Sequence, residues 1–226
     1  MGTKNKPTVA SFSYDAGTAM SDPKSMVQHG YDLVSRAYRA DDAVEGQYAQ
    51  WLDLLELGIK PGAAILDLGC GCGIPVARRL ASRFAVTGVD FSPVQVARAR
   101  SLVPTATFIC ADMTTLQLGD DSFDAIVCLF ALIHVPLDEQ PDLLRNIRRW
   151  LRPGGLLLAT VGHTAWTGVE KDWLGVDGAD MWWSHADAET YRLWFGYAGL
   201  QLQLEKFITE GNGGRHTLVL ASRRVP

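Results

Sequence analysis

The sequence predicts an open α/β fold, a largely parallel sheet with helices on both faces. Three observations carry that expectation. Short apolar runs at 63–68, 85–90, 107–111, 123–131 and 156–161 alternate with helical stretches at 74–82, 93–102 and 138–150. The runs are apolar at consecutive rather than alternate positions, so both faces of each strand are covered, as in parallel sheets. Punctuation falls between them: Ser92-Pro93 is a helix start and Arg152-Pro153-Gly154-Gly155 is a turn.

The elements follow in chain order. Residues 1–20 are small and polar without a period and form a flexible N-terminus. Asp22 caps a helix whose first turn accepts Pro23. A second helix follows Asp41 or Asp42, with Val44, Tyr48, Trp51, Leu52 and Leu55 on one stripe and Gly58 at its end. Together 21–58 make a helical unit ahead of the α/β region 59–226. Beyond the fifth run, residues 162–186 are irregular and rich in Trp and Gly. A helix over 187–198 stops at Gly199, and two strands, 202–208 and 216–222, flank a glycine-rich turn over 210–214 as a hairpin.

Composition narrows the function classes. The chain has 226 residues, 47% hydrophobic and 20% charged, which excludes a disordered or fibrous protein. Its net charge of -4 argues against nucleic acid as a partner, since phosphate binding needs a basic face. No apolar run approaches the roughly 18–20 residues of a spanning helix, so no membrane partner is expected. The first twenty residues lack a signal core, and Lys6 spoils a myristoylation site at Met1-Gly2. The four cysteines, Cys70, Cys72, Cys110 and Cys128, read as free thiols of a cytoplasmic protein. The oligomeric state is left open.

The most informative segment runs from Ile65 to Pro75: an apolar strand, an acid (Asp67), then Gly69, Gly71 and Gly73 alternating with Cys70 and Cys72, then a helix start. Glycines permit positive φ and close backbone approach at the carboxyl end of a strand, where open α/β sheets bind ligands. A dinucleotide needs G-x-G-x-x-G and a free N–H for its pyrophosphate. Here Ile74 takes the sixth place and Pro75 has no N–H. An acid before the loop suits an ammonium or sulfonium better than a diphosphate, so S-adenosylmethionine (SAM) fits better than NAD. Asp90 ends the second strand, 23 residues after Asp67, at the spacing of a ribose-binding acid. Asp112 ends the third strand and can accept from an adenine amino group, with Met113 against the ring.

On these residues the chain resembles class I SAM-dependent methyltransferases, nearest to the small-molecule group that includes ubiquinone, menaquinone and natural-product enzymes. The carriers are 65–73, Val89-Asp90-Phe91-Ser92, Ala111-Asp112-Met113, Phe123-Asp124-Ala125-Ile126-Val127 and Leu151-Arg152-Pro153-Gly154-Gly155, and the resemblance covers roughly residues 28–222. It implies a Rossmann-like seven-stranded sheet of order 3-2-1-4-5-7-6 with the seventh strand antiparallel. It implies that 21–58 is a lid, that 162–198 is the substrate-recognition insertion, and that Tyr31, Phe91, Leu129 and His134 join the acids and glycines around SAM. It also implies direct methyl transfer to O, N or carbon of a small molecule, plausibly in secondary metabolism, with S-adenosylhomocysteine as product. A non-catalytic SAM-binding protein and an NAD-dependent oxidoreductase are the alternatives.

An acceptor with a tightly held proton needs a base. His185, in Ser184-His185-Ala186-Asp187, ranks first and His163, after the fifth strand, second. His134 follows the fourth strand at the expected junction of cofactor and substrate. Trp166, Trp173, Trp182, Trp183 and Trp194 concentrate in the insertion and suit an aromatic or hydrophobic acceptor. Cys70-x-Cys72 has no second pair, and the segment after the fourth strand has no carboxylate cluster, so no metal is expected.

Overall fold

The computed structural model describes residues 22–209 and 214–225. The segment 1–20 and the turn residues 210–213 lie outside the described residues.

The described residues form nine strands: β1 Ala64–Leu68, β2 Ala85–Asp90, β3 Thr107–Cys110, β4 Phe123–Cys128, β5 Leu151–Gly162, β6 Trp166–Glu170, β7 Met181–His185, β8 Leu200–Thr209 and β9 Arg215–Arg223. Seven of them make one sheet in the order β3-β2-β1-β4-β5-β9-β8. β1 to β5 pair in parallel, and β9 lies antiparallel to both β5 and β8. Leaving out the two inserted strands, this is the expected order with its antiparallel seventh strand.

Each face of the sheet buries one core. In β1, Ile65 points into the cluster containing Trp51, Leu52 and Leu55 of α2 (Tyr48–Glu56), Ala77 of α3 (Val76–Leu80) and Val96 of α4 (Pro93–Leu102). Leu66 and Leu68 point into the opposite cluster, with Leu143, Ile147 and Trp150 of α5 (Gln140–Trp150) and Tyr191 and Phe195 of α6 (Ala188–Ala198). This is the two-sided burial that the consecutive apolar runs require. The first helix, α1 (Pro23–Tyr38), packs elsewhere: Val27 and Val34 join Trp173, Met181 and Trp182 of the insertion in a third cluster. Gly30 permits that approach, because a Cβ there would lie 2.8 Å from the Asp180 carbonyl oxygen.

Four expectations need correction. Residues 162–186 are not irregular: β6 and β7 pair antiparallel from Trp166↔His185 to Glu170↔Met181. β6 is half exposed and interrupted by Gly168, so it carries no apolar alternation; backbone pairing alone makes it a strand. Val44 is 80% exposed and precedes α2, which starts at Tyr48 beyond Gly46. The helix expected over 74–82 contracts to Val76–Leu80 behind Pro75. The Arg152–Gly155 turn lies inside β5 as an irregularity, where its register against β4 shifts between Phe123 and Ala125. No described helix is long and apolar enough to cross a membrane.

Helix caps fall where the sequence places them: Asp22 accepts from the Ser25 amide, Asp187 from Thr190 and Ser92 from Gln95. The buried Ser92 hydroxyl also donates to Asp32 of α1 at 2.5 Å, so one side chain both starts α4 and holds the first helix. Ser92→Ala is expected to lower stability by about 1–2 kcal/mol, read from the urea midpoint. An unchanged midpoint would show that neither bond contributes.

Candidate active site

The chain leaves β1 through Gly69, Gly71 and Gly73, with φ of 71°, 53° and 79°. A Cβ on Gly69 would sit 2.2 Å from the Ala131 Cβ, whereas one on Gly71 would meet nothing within 4 Å. Gly69 therefore serves close packing, and Gly71 faces open space. Gly73 packs α4 against β3, its imagined Cβ lying 3.2 Å from Phe108 and Val103. The turn is anchored from β2: the Gly69 and Cys70 amides donate to the Val89 carbonyl at 2.8 and 3.0 Å. The Gly71 amide donates to Asp90 Oδ2 and the Ser92 amide to Asp90 Oδ1, both at 2.9 Å.

Three carboxylates at consecutive strand tips differ in state. Asp67 is buried, and among the described residues its Oδ2 has no hydrogen-bond partner. Burial, with repulsion from Asp90 added, pushes its carboxyl up to about 8. Burial likewise raises Asp90 to about 6 against the opposing amides of Ser92 and Gly71. For Asp112, burial pulls upward, but the Thr114 amide at 2.8 Å and Lys24 Nζ at 2.9 Å outweigh it and hold the group below the ordinary carboxylate range. Lys24 comes from the first turn of α1 and also reaches Thr114 Oγ1 at 2.7 Å and Glu139 at 2.5 Å.

These tips open into a cleft of about 650 Å³, mouth included, between the sheet and α1. Its walls bring together Tyr31, Gly69, Gly71, Asp90, Phe91, Asp112, Met113, Leu129 and His134, all expected around the cofactor. An adjoining hollow shares Gly69, Gly71 and Leu129 and extends to Asp67 and Arg39. A third, at the end of α1, is lined by Tyr38, Arg39, Val44, Tyr48, Trp173 and Leu174. Of the expected cofactor residues only Gly73 faces none of them.

The three histidines part company. His134 lies in the 3-10 turn Leu132–His134 and lines the cleft. Its Nδ1 is 2.7 Å from the Trp182 carbonyl and its Nε2 is 3.0 Å from the Tyr31 hydroxyl. A carbonyl only accepts, so Nδ1 carries the proton and Nε2 accepts from Tyr31. Burial, aided by nearby His216 and His185, lowers His134 to about 4, so the ring is neutral. His185 is buried against Gly162 and stands 6.3 Å from the His216 ring; burial and then His216 lower its pKa. His163 is exposed, 3.1 Å from Thr217 Oγ1 and 4.5 Å from the Phe207 ring. Neither of the latter two lines the three hollows.

The tryptophans also separate. Trp173 stands 5.5 Å from Tyr31, 5.3 Å from Tyr38 and 5.8 Å from Trp183, and Trp183 packs 4.5 Å from His134. Trp182 is buried in the cluster joining lid and insertion. Trp166 is 48% exposed beside His185, and Trp194 packs on Tyr191 of α6; neither lines the three hollows.

Sequence reading missed Lys24, Arg39 and Phe130. Phe130 takes a positive φ of 54°, and its amide donates to the buried Thr160 hydroxyl at 2.5 Å. Its ring meets Tyr48, Trp51 and His216 at 5.3–5.9 Å. A threonine inside the apolar run of β5 was the one available signal.

Comparison with known proteins agrees with this geometry. Residues 65–155 match the methyltransferase domain family. An uncharacterized methyltransferase of Synechocystis sp. is 33% identical, over 56% of this chain and 59% of its own length. The 2-methyl-6-phytyl-1,4-hydroquinone methyltransferase of the same organism is 30% identical, over 57% of this chain and 54% of its own. The chain thus spans little more than half the length of these two relatives. Among solved structures, the 1,6-didemethyltoxoflavin-N1-methyltransferase of Burkholderia thailandensis, holding its acceptor and S-adenosylhomocysteine, superposes with a TM-score of 0.70 at 18% identity, over 93% of this chain and 94% of that one. At that identity the likeness shows the fold.

Because His134 is lowered from 6.5 to about 4, the unfolded chain binds its proton first as pH falls. The stability that neutral His134 brings is complete above pH 6.5 and lost on descending toward 4. Relative to His134→Asn, the wild type is expected to lose about 2 kcal/mol between pH 7 and pH 5 in urea titrations. A parallel pH dependence in the two proteins would contradict the burial argument.

Proposed function

We propose that this chain, whose residues 65–155 match the methyltransferase domain family, is a class I SAM-dependent methyltransferase that transfers a methyl group by direct displacement to a small aromatic or hydrophobic acceptor. The observation that carries the reading is the unpartnered, buried carboxyl of Asp67 at the tip of β1. A buried acid without a donor is costly unless a cation completes it. The open space over Gly71 leaves room for a ligand beside the acid. The helix that would receive a pyrophosphate opens instead at Pro75, which has no N–H to offer.

On this reading Asp67 faces the ammonium of SAM, the free lone pairs of Asp90 take the ribose hydroxyls, and Asp112 with Met113 frames the adenine. SAM supplies an activated methyl on a cationic sulfur. The chain supplies position and exclusion of water. Tyr31 and His134, both on the cleft wall, stand where an acceptor's proton must leave. The Tyr31 hydroxyl passes it to His134 Nε2, whose partner nitrogen is fixed by the Trp182 carbonyl. A weakly basic ring suffices, because an acceptor heteroatom becomes strongly acidic once methylated. This gives His134 the role that sequence order assigned first to His185. Trp173 and Trp183, beside the dyad, offer the stacking faces for the acceptor, and the outer hollow at Tyr48 and Trp173 is its way in. The hydroquinone for which one relative is named is an acceptor of this kind.

Two outcomes are expected. Binding of S-adenosylhomocysteine at pH 7 should release about one proton, because Asp67, raised to about 8, is protonated in the empty cleft and ionises against the ammonium. Affinity should therefore climb as pH rises toward 8. Calorimetric titration in buffers of different ionisation heat measures this, and Asp67→Asn should release none. Screening hydroxylated aromatics and hydroquinones for S-adenosylhomocysteine formation should find an acceptor whose turnover falls at least about 100-fold in His134→Asn, with cofactor affinity kept. No product from any acceptor despite tight cofactor binding would return the chain to a non-catalytic SAM-binding role.

A further inference from the structure

Gln140, the first residue of α5, is fully buried. Its Nε2 donates to the Val135 carbonyl at 2.8 Å and to the Ser184 carbonyl at 2.7 Å, and its Oε1 accepts from the Tyr191 hydroxyl at 2.6 Å. Burying an amide is costly unless its groups are paired, and here both donors and the acceptor are. An apolar side chain fills the same space without that demand, but it does not join the two carbonyls.

What the amide joins is the surroundings of His134. Val135 follows His134, and Ser184 lies two residues after Trp182 in β7. Alternate carbonyls of a strand point to the same edge. Among the described residues β7 pairs only with β6, so its other edge meets no strand. On that edge His134 Nδ1 takes the Trp182 carbonyl and Gln140 takes the next, from Ser184. Two side chains thus stand in for a missing strand. The bonds close a ring, from His134 to Trp182, along β7 to Ser184, across Gln140 to Val135 and back to His134. The preceding residue, Glu139, holds Lys24 of α1, the helix that brings Tyr31 to His134 Nε2. Both partners of the imidazole are therefore fastened at the start of α5.

We propose that Gln140 is a positioning residue for methyl transfer: by tying Val135 to Ser184 it fixes the Trp182 carbonyl against His134, which keeps the ring proton on Nδ1 and leaves Nε2 to accept from Tyr31. The assignment rests on the Tyr31–His134 reading above. A histidine released from its carbonyl exchanges between its two tautomers, and the one with the proton on Nε2 cannot accept there. Tyr191 orients the amide from behind, so α6 contributes to the site without reaching it.

Nitrogen–proton correlation spectra of the histidine rings read the tautomers in the full chain at pH 7, where His134 is neutral. They need no acceptor, and His134→Asn identifies the signals. The wild type should carry the His134 proton on Nδ1 alone. Gln140→Met keeps the length and loses both donors, and His134 should then populate both tautomers. In that variant, turnover of the acceptor found by the screen above should fall about 10- to 100-fold, with affinity for S-adenosylhomocysteine kept within about 2-fold. Ile147→Ala, which opens a cavity in the core face of the same helix, should lose stability and leave the tautomer unchanged. If Gln140→Met does not fold, Gln140→Asn, too short to span both carbonyls, takes its place with the same expectation. His134 held on Nδ1 in the variant overturns the proposal, and so does a wild type with the proton on Nε2. Full turnover with the tautomers mixed also overturns it. So does an equal shift in Ile147→Ala, as the mark of general loosening. A tautomer that responds in a chain that methylates nothing upholds the tie between Gln140 and His134 and rejects the catalytic reading instead.

Discussion

A carboxyl group sits at the tip of the central strand β1, buried, with one oxygen that no donor reaches. Parallel strands covered on both faces tolerate such a group only at their ends, where the sheet gives way to a loop and a ligand can complete it. Asp67 occupies that end, paired in register with Gly88 of β2 and Val127 of β4. Its neighbour Asp90 raises it further, so two acids crowd a space with no cation of its own on the strand tips. A diphosphate would worsen that arrangement, and a cationic nucleoside relieves it.

The first helix is built around the same constraint. On α1, Lys24, Gln28, Asp32 and Ser35 follow one another at helical spacing and bond to Asp112, the Phe91 carbonyl, Ser92 and Gln95. These partners are themselves on, or next to, the strand tips. The neighbouring stripe, Val27, Tyr31, Val34 and Tyr38, turns to the aromatic cluster of the insertion. One helix thus presents a polar edge to the strand tips and an aromatic edge to the β6–β7 region, and Val27, Tyr31 and Tyr38 of the second edge line the cleft with Lys24 of the first. Tyr31 stands at the meeting of the two, which places its hydroxyl against His134. Burial keeps that histidine neutral, and a backbone carbonyl from β7 selects its tautomer, so the insertion sets the proton state of a group it does not contain.

Much of this was legible in the residues. The glycine turn and the acids at Asp67, Asp90 and Asp112 follow from local pattern, because each lies at the end of an apolar run that reads as a buried strand; the strand order followed from the family resemblance, not from the pattern. The hairpin of β8 and β9 was legible for the same reason. β6 was not: its side chains are largely exposed, so burial left no trace in its sequence. Val44 fits the stripe of α2 by spacing alone, yet Gly46 lets the chain leave the helical path before Tyr48.

Roles within the site divided the same way. Composition singled out five tryptophans and three histidines as candidates, and each has a residue type suited to the chemistry. The sequence by itself determined the fold class and the carboxylates at the strand tips, and it favours a cationic nucleoside over a diphosphate, because these depend on periodicity, on glycine and proline stereochemistry and on charge a few residues apart. Only the tertiary structure decided that His134 rather than His185 or His163 reaches the cleft, that Trp194 lines none of the hollows, and that Arg39 shares a hollow with Asp67. Those are meetings between segments far apart along the chain, and they depend on how α1 and the β6–β7 region pack against each other and the strand tips, which no local pattern encodes.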